Sequence, residues 1–406
     1  MLAHSPPLPL VIDYFQDEGI TAEEEALIAA LAKRDRVRRV RLGLPIPNLQ
    51  RLVMAINGEY PVLEYLIMAH SPDDDSKGLM LPETFQAPHL RHLMLLGFAL
   101  PMGSRLLTTA VDLITLCLFM EKSSYFQPST LLQWFSSMPQ LEMLMIASLS
   151  PVSNRDVEWQ LMHTQITTHV TLPNLRWFAF QGGSAYLEAV VGRITAPRLE
   201  QFGIEFFEQL TFSVPRLLQF MNKTRHLRPG SAKFEFASED VCVEFYSREE
   251  PRMNILSICV YCRHLDSQVS SVTQIFNSLS QIFSAVEHLI LEHKVHSRSF
   301  EEHNEVDRSE WRKLLRSFSN VKTLRIEDGL VKELSRCLRL GDGELPMELL
   351  PELQELTYYQ SGDTGDAFTS FIDARQDAGH PVTLVRSNPR SLTPLSRSSS
   401  PGFPIV

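Results

Sequence analysis

One six-residue motif recurs along almost the whole chain and limits the folds that the chain can adopt. Its first, fourth and sixth positions are apolar, as in Leu141, Leu144 and Ile146 of the segment LEMLMI. The motif occurs eleven times, with first positions at residues 37, 63, 90, 113, 141, 175, 199, 255, 286, 321 and 353, and a weak copy lies at residues 231–236. Apolar residues at alternate positions in short segments predict strands with one buried face.

Proline and helix signals separate the motifs. Where the series is unbroken, first positions lie 23–35 residues apart, enough for a strand, a helix and two turns. Proline, which has no amide to donate, often stands two residues before the first position, at Pro61, Pro88, Pro139, Pro173, Pro197 and Pro351. Apolar residues at three- and four-residue steps predict helices at 48–59, 129–138, 213–222, 269–283, 309–318 and 332–340. A capping box at Thr21 and Glu24, followed by helix-forming residues, predicts a helix at 22–32, and a closing helix is expected at 367–376. Ser213 is the expected cap of its helix, with Pro215 just inside.

This alternation predicts an α/β solenoid with a parallel sheet on the concave side and helices on the convex side. A doubly wound α/β domain also alternates strands and helices. Eleven motifs of one type and the lack of a glycine-rich strand-to-helix turn favour the solenoid. We expect a lead-in segment at residues 1–20, the solenoid at 21–385 and a disordered tail rich in Ser, Pro and Arg at 386–406.

Charge and cysteine content restrict the possible partners and the cellular compartment. The net charge of −10 argues against nonspecific binding of nucleic acid, which requires a positive field. The first residues lack the basic start of a secretory signal, and the apolar run 110–120 is too short to span a membrane. Five cysteines in 406 residues indicate reduced thiols. We therefore expect an intracellular protein, cytoplasmic or nuclear, without a membrane partner.

The sequence offers few residues for catalysis or for metal binding. Cys259 and Cys262 have the spacing of half a zinc site, but no second pair exists. A histidine-rich segment, which contains His288, His293, His296 and His303, matches no ligand spacing. Glycine-rich phosphate loops and paired carboxylates are also missing. We expect no enzyme activity, no cofactor and no metal.

The motif with its preceding proline resembles the leucine-rich repeat, and specifically the irregular repeats of fungal F-box proteins. The resemblance covers roughly residues 20–385. The ninth position, which often holds asparagine in such repeats, instead carries residues such as Ser71, Phe98 and Leu149. This difference predicts an uneven array.

The resemblance implies a function in recognition. In that family an F-box of some 40 residues precedes the repeats and binds the adaptor of a cullin-type ubiquitin ligase. No clear F-box is present here, and residues 7–12 are only faintly similar. We therefore expect the chain to be a fragment, the product of a mis-started gene model, or a diverged relative. The expected function is protein–protein interaction, as the substrate-recognition part of an F-box-type ubiquitin ligase subunit. The alternative is a leucine-rich-repeat scaffold or regulator, for example of a small GTPase.

The positions between the apolar anchors predict the binding surface. Side chains alternate along a strand, so the third, fifth and seventh positions of each motif face away from the anchors. In the first half of the chain these positions hold large apolar residues, which we expect to form an exposed patch for a protein partner. The predicted partner-binding residues are Tyr65, Ile67, Met94, Leu96, Phe119, Met143, Met145 and Trp177. Later motifs carry polar residues at the same positions, including Gln201, Glu205, His288, Glu292, Arg325, Glu327 and Glu355.

Overall fold

A computed structural model describes residues 8–15, 24–70, 79–101, 103–120, 126–149, 166–209, 211–224, 226–294, 308–341, 344–359 and 367–387. Within these residues, fifteen strands form one large, mostly parallel sheet, and helices alternate with the strands along the chain. The predicted α/β class and parallel sheet are therefore confirmed.

Each of the eleven motifs contributes a strand, and its fourth and sixth positions always lie inside that strand. The weak copy at 231–236 also lies in a strand. Two pairs of short strands, β4 with β6 and β9 with β11, form separate small sheets. The strands are β1 Leu10–Phe15, β2 Val37–Gly43, β3 Tyr65–Ala69, β4 Leu79–Met80, β5 His92–Leu96, β6 Phe98–Ala99, β7 Thr115–Met120, β8 Met143–Ser148, β9 Val170–Thr171, β10 Trp177–Gly182, β11 Ile194–Thr195, β12 Gln201–Phe206, β13 Pro229–Phe236, β14 Asp240–Ser247, β15 Asn254–Tyr261, β16 His288–His293, β17 Thr323–Ile326, β18 Glu355–Tyr359 and β19 Thr383–Ser387.

The helices follow the predicted segments closely, with shifts of a few residues at their ends. They are α1 Glu24–Leu31, α2 Ile46–Ala55, α3 Arg105–Thr109, α4 Pro128–Phe135, α5 Ser184–Val191, α6 Pro215–Lys223, α7 Leu265–Phe283, α8 Arg308–Arg316, α9 Asp328–Leu338 and α10 Thr369–Asp377. Helices α3 and α5 were not predicted. Seven of the eight residues of α5 are buried, so its sequence lacks the polar face that makes a helix recognisable.

The start of α6 corrects the expected cap. Val214 occupies the N-cap position of α6, and its side chain forms no hydrogen bond with the helix. Instead, the buried Glu188 of α5 accepts hydrogen bonds from the backbone N–H groups of Arg216 and Leu217, both at 2.8 Å. The cap is therefore supplied by Glu188 of the preceding helix and not by Ser213. Its carboxylate, at the N-terminus of α6, also offsets the positive end of the α6 dipole.

One segment interrupts the sequential order of the sheet. The strands lie in the order β1-β2-β3-β5-β7-β8-β10-β12-β15-β14-β13-β16-β17-β18-β19. After β12 the chain passes two strand positions, forms β13, and returns through β14 to β15, which pairs with β12. Within the described residues β14 alone runs antiparallel in the large sheet. We call β13–β15 the inverted meander, and the 19-residue α7 packs against all three of its strands.

The two faces of the large sheet differ in what covers them. All thirty-three apolar positions of the eleven motifs are buried in one core cluster, together with the buried apolar residues of the helices. We call this side the helix face. The third, fifth and seventh positions of the motifs lie on the other side, which we call the open face. The assignment of anchors to the buried side is therefore confirmed.

The ends of the array differ from the expected limits. The predicted lead-in at residues 1–20 contains β1, which pairs in parallel with β2 and forms one edge of the sheet. At the other edge β19 extends to Ser387, two residues beyond the predicted limit at 385. The rest of the predicted tail, residues 388–406, lies outside the described residues. None of the helices in the described ranges has the length and apolar character needed to cross a membrane.

Candidate functional site

The eight predicted partner-binding residues all lie on the open face. Strand register places them in rows that cross β3, β5, β7, β8 and β10. One such row pairs Ile67 with Met94, Met94 with Cys117, Cys117 with Met145 and Met145 with Ala179. Five neighbouring strands at about 4.8 Å spacing make this part of the face roughly 19 Å wide.

Most of these residues belong to a second apolar cluster, separate from the core on the helix face. Phe119, Met145 and Ala147 are its buried centre. Its half-buried border consists of Met94, Leu96, Cys117, Trp177 and Ala179. We call this set the open-face cluster. Ile67 of β3 is paired with Met94 at the edge of this cluster, and Met143 is half-buried next to Trp177. Tyr65, also on β3, lies opposite Arg39 of β2.

The expectation of an exposed patch is wrong in part. Met145 is 2% exposed, and Ile67 and Phe119 are each 8% exposed. Large side chains on strands about 4.8 Å apart cover one another, so the centre of the cluster is packed like a small core. Tyr65, Met94, Leu96, Met143 and Trp177 are half-buried and supply the accessible apolar surface. Burial also raises the pKa of the Cys117 thiol to about 12, so this cysteine is not an activated nucleophile.

Two arginines form the border of the open-face cluster at β2. The guanidinium carbon of Arg39 lies 4.2 Å from the ring centre of Tyr65, and that of Arg41 lies 4.8 Å from the ring of Phe15. Arg41 also pairs with Asp13 at 3.8 Å. These contacts use the cation–π attraction of arginine for aromatic faces, and they place both guanidinium groups over aromatic rings at this border.

A cavity of about 140 Å³ opens at the opposite border of the cluster, over β8, β10, β12 and β15. Its floor is a row of three small residues, Ala179, Gly203 and Ser257, which lie opposite one another on β10, β12 and β15. Met145 and Trp177 line it on the apolar side. Polar groups that also line it are Gln181, Gln201, Glu205 and Asn254. We call it the border cavity.

Two acceptors in the border cavity lack a full set of partners. Glu205 accepts a hydrogen bond from the Tyr261 hydroxyl at 2.9 Å, and no lysine or arginine of the described residues pairs with it. Burial raises the pKa of this carboxyl, the Tyr261 hydrogen bond lowers it, and the charge of Asp240 raises it further. The Asn254 Oδ1 atom is buried and accepts no hydrogen bond from the described residues. Sequence reasoning identified Glu205 as an open-face residue but missed the cavity, which depends on the pairing of β12 with β15.

Beyond the cavity the open face is charged. Lys233 of β13 pairs with Glu292 at 3.0 Å and with Glu235 at 3.6 Å, and Lys294 also pairs with Glu235. Arg325 pairs with Glu327 at 3.4 Å. The polar second half of this face is therefore confirmed, and Glu235, Glu292 and Glu327 are paired with cations there.

Several pKa values reflect this concentration of carboxylates. Burial raises the pKa of Asp240, and the charges of Glu235 and Glu239 raise it further. Burial and the charge of Glu292 likewise raise the pKa of Glu327. For Lys233, burial acts to lower the pKa, but the hydrogen bond and charge of Glu292 outweigh it, so the pKa is raised.

The inverted meander corrects the expectation of five free thiols. Cys242 and Cys259 are directly opposite each other on β14 and β15 and form a disulfide, with Cα atoms 4.1 Å apart. Cys117, Cys262 and Cys337 are free. Cys262 is buried in the core on the helix face, so Cys259 and Cys262 do not share a site.

No group of three or more His, Cys, Asp or Glu side chains in the described ranges is placed to hold a metal ion. His288 and His293 lie on β16, where the His288 Nδ1 atom is 2.8 Å from the Thr323 hydroxyl. His296 and His303, which completed the histidine-rich segment, lie outside the described residues.

Comparison with known proteins adds no further assignment, because no family model matches the chain and no curated protein matches its sequence.

Proposed function

We propose that this chain is a protein-binding module with a leucine-rich-repeat-like solenoid architecture, and that its open face holds a polypeptide partner. The observation that carries the proposal is the open-face cluster. A sheet face without helices is normally polar where it meets water. Here the four consecutive strands β5, β7, β8 and β10 carry Met, Leu, Phe and Trp side chains, and the half-buried members offer apolar surface to a partner. Methionine suits such a surface because its flexible, polarisable side chain adapts to different ligands.

The repetition of one motif supports the solenoid part of the proposal. Successive motifs from β2 to β12 and from β16 to β18 give neighbouring parallel strands, and their anchors form one continuous core. Such an array gains stability by stacking each repeat on the next. The inverted meander is an interruption of the kind that the irregular ninth positions predict.

The narrower proposal is that the module is the substrate-recognition part of an F-box-type ubiquitin ligase subunit. It is supported by the resemblance of the motifs to irregular F-box leucine-rich repeats. Cullin and its adaptor are the partners expected for that subunit. Affinity purification of the full-length protein from its native cell tests this proposal, and failure to recover both components would contradict it.

One observation favours the alternative, a scaffold or regulator unconnected with ubiquitin. Residues 10–12, from the segment with faint F-box similarity, lie in β1 and pair with β2. That part of the chain belongs to the sheet, so it does not form a separate adaptor-binding element. Co-purification of a small GTPase in place of cullin would support the alternative.

Substitution of half-buried residues tests binding by the open face. We expect Trp177→Asp combined with Met143→Asp to abolish partner capture while the circular dichroism spectrum stays native. Met54→Asp is a matched control, because Met54 lies on α2 and is 80% exposed. Equal capture by both proteins would show that the open face does not bind the partner.

A further inference from the structure

We propose that the border cavity is a binding site for a basic side chain, arginine or lysine, of the polypeptide that binds the open face. This inference rests on the proposed function and adds the chemistry of the ligand. The site lies where the open-face cluster meets the charged half of the same face.

The shape of the cavity follows from side-chain size. Met145 and Trp177 are large, whereas the neighbouring row positions are Ala179, Gly203 and Ser257. The nearest atom to a Cβ built on Gly203 would be the Ala179 Cβ at 3.8 Å, so the floor is open above the backbone. A long, unbranched side chain can lie on this floor with its methylene groups against Trp177 and Met145.

The charge of the cavity selects a cation. Elsewhere on the charged half, Glu292 and Glu235 pair with Lys233, and Glu327 pairs with Arg325. Glu205 has no such cation: among the described residues its carboxylate accepts one side-chain hydrogen bond, from the neutral Tyr261 hydroxyl. Glu244, which Tyr246 binds in the same way, lies outside the cavity. A partly desolvated carboxylate without a cation is unfavourable, and an incoming guanidinium or ammonium group would form a charge-assisted hydrogen bond with it.

Two further features of the lining agree with a cationic ligand. Trp177 presents an indole ring, the aromatic group with the strongest attraction for cations. The Asn254 Oδ1 atom is an acceptor without a donor, and a multidonor group or a backbone N–H of the ligand could satisfy it. Arginine suits this set best, since its planar group both stacks on aromatic rings and binds carboxylates.

The surroundings also define the residues beside the basic one. The cavity shares Met145, Trp177 and Ala179 with the open-face cluster. A chain that places a basic side chain over Glu205 therefore brings its neighbouring residues onto methionine, leucine and phenylalanine. The inferred ligand is a segment with a basic residue next to apolar residues.

A random peptide library displayed on phage tests the inference without knowledge of the natural partner. We expect peptides selected on the whole protein to share an arginine or lysine beside apolar residues. Synthetic versions should bind Glu205→Gln and Gly203→Val at least about tenfold more weakly, because the first removes the charge and the second fills the floor. Gln retains the acceptor for Tyr261, and valine suits a strand, so both variants should fold. Glu355→Gln, on the exposed part of β18, should bind normally.

The outcomes separate the two proposals. Selected peptides that require Trp177 but show no basic residue and bind Glu205→Gln equally well would overturn the basic-side-chain site and leave open-face binding intact. Failure to select any peptide that depends on Trp177 would overturn both.

Discussion

On strands β3 to β10 the open face carries methionine, leucine, phenylalanine and tryptophan, whereas on β12 to β17 it carries glutamate, lysine, arginine and tyrosine. Both halves use the same strand spacing, and the anchors beneath them enter the same core on the helix face. The difference shows that the anchors determine the fold, while the positions between them are free to vary in chemistry. The border cavity lies where the two chemistries meet.

The two halves are also stabilised differently. The apolar half is stabilised by packing, with Met145 and Phe119 almost removed from water. The charged half depends on Lys233 and Arg325, which offset neighbouring carboxylates, and on the disulfide between Cys242 and Cys259. A charge placed at the buried centre of the first half, and removal of a paired cation from the second half, should therefore both destabilise the protein.

The largest effect is expected for a charge at the centre of the apolar half. Met145→Asp places a carboxylate without a cation in a position that is 2% exposed. It should lower the free energy of unfolding by about 3–5 kcal/mol, the range for an uncompensated buried charge. Urea unfolding followed by circular dichroism measures this change. Met54→Asp should have almost no effect, and a similar loss in both variants would contradict the packed nature of the cluster.

The disulfide gives the next effect and lies in the charged half. Cys242 and Cys259 are 17 residues apart, and closing a loop of that size stabilises a folded chain by about 3 kcal/mol. We expect dithiothreitol to lower the urea midpoint of the native protein. The double variant Cys242→Ala/Cys259→Ala should have a low midpoint that dithiothreitol does not change. Cys117→Ala should keep the full sensitivity to reductant, since its thiol is free.

The same two regions show which parts of the fold the sequence pattern predicts and which it does not. Motif periodicity predicted eleven strands and the face of every anchor, because burial of one strand face is a local pattern. It missed β14, although Val241, Val243 and Phe245 alternate as a strand requires, since these residues do not form the repeated motif. The reversed order of β13, β14 and β15 depends on strand pairing between distant segments, which no local pattern encodes.

The border cavity and the open-face cluster were predictable only where local alternation along a strand determines them. Placement of Trp177 and Glu205 on one face follows from alternation within each strand. The burial of Met145 and the cavity above Gly203 depend on which strands are neighbours. The cap that Glu188 supplies to α6 is likewise a contact between separate helices.

A smaller effect is expected from the lysine at the centre of the charged half. Lys233→Met keeps most of the side-chain volume but removes the cation that pairs with Glu292 and Glu235. The Lys233 pKa is raised, so its contribution is fully present below the ordinary lysine value and is lost only as the pH rises through the raised value. At pH 7 the substitution should cost about 1–2 kcal/mol, since the side chain is partly exposed. Lys332→Met, on α9, is the control. An equal loss of unfolding free energy in the two variants would show that the ion pairs of Lys233 do not stabilise the charged half.

The smallest effect concerns pH and the unpaired carboxylate of the border cavity. Because the Glu205 pKa is raised in the folded chain, folding favours its protonated form. Its contribution to stability is therefore present at low pH and is lost as the pH rises from the ordinary value of 4.5 through the raised value. Glu205→Gln cannot titrate, so its free energy of unfolding should fall less than that of the native protein over this window, by about 1 kcal/mol or less.

Urea midpoints at several pH values from 4 to about 7.5 measure the difference, and subtraction of the two curves removes the titration of all distant carboxylates. Identical curves would show that Glu205 is not desolvated, and the border cavity would then have no electrostatic preference for a cation. A flatter curve for Glu205→Gln, together with a native curve that becomes equally flat when a basic peptide is bound, would show that the ligand neutralises this carboxylate.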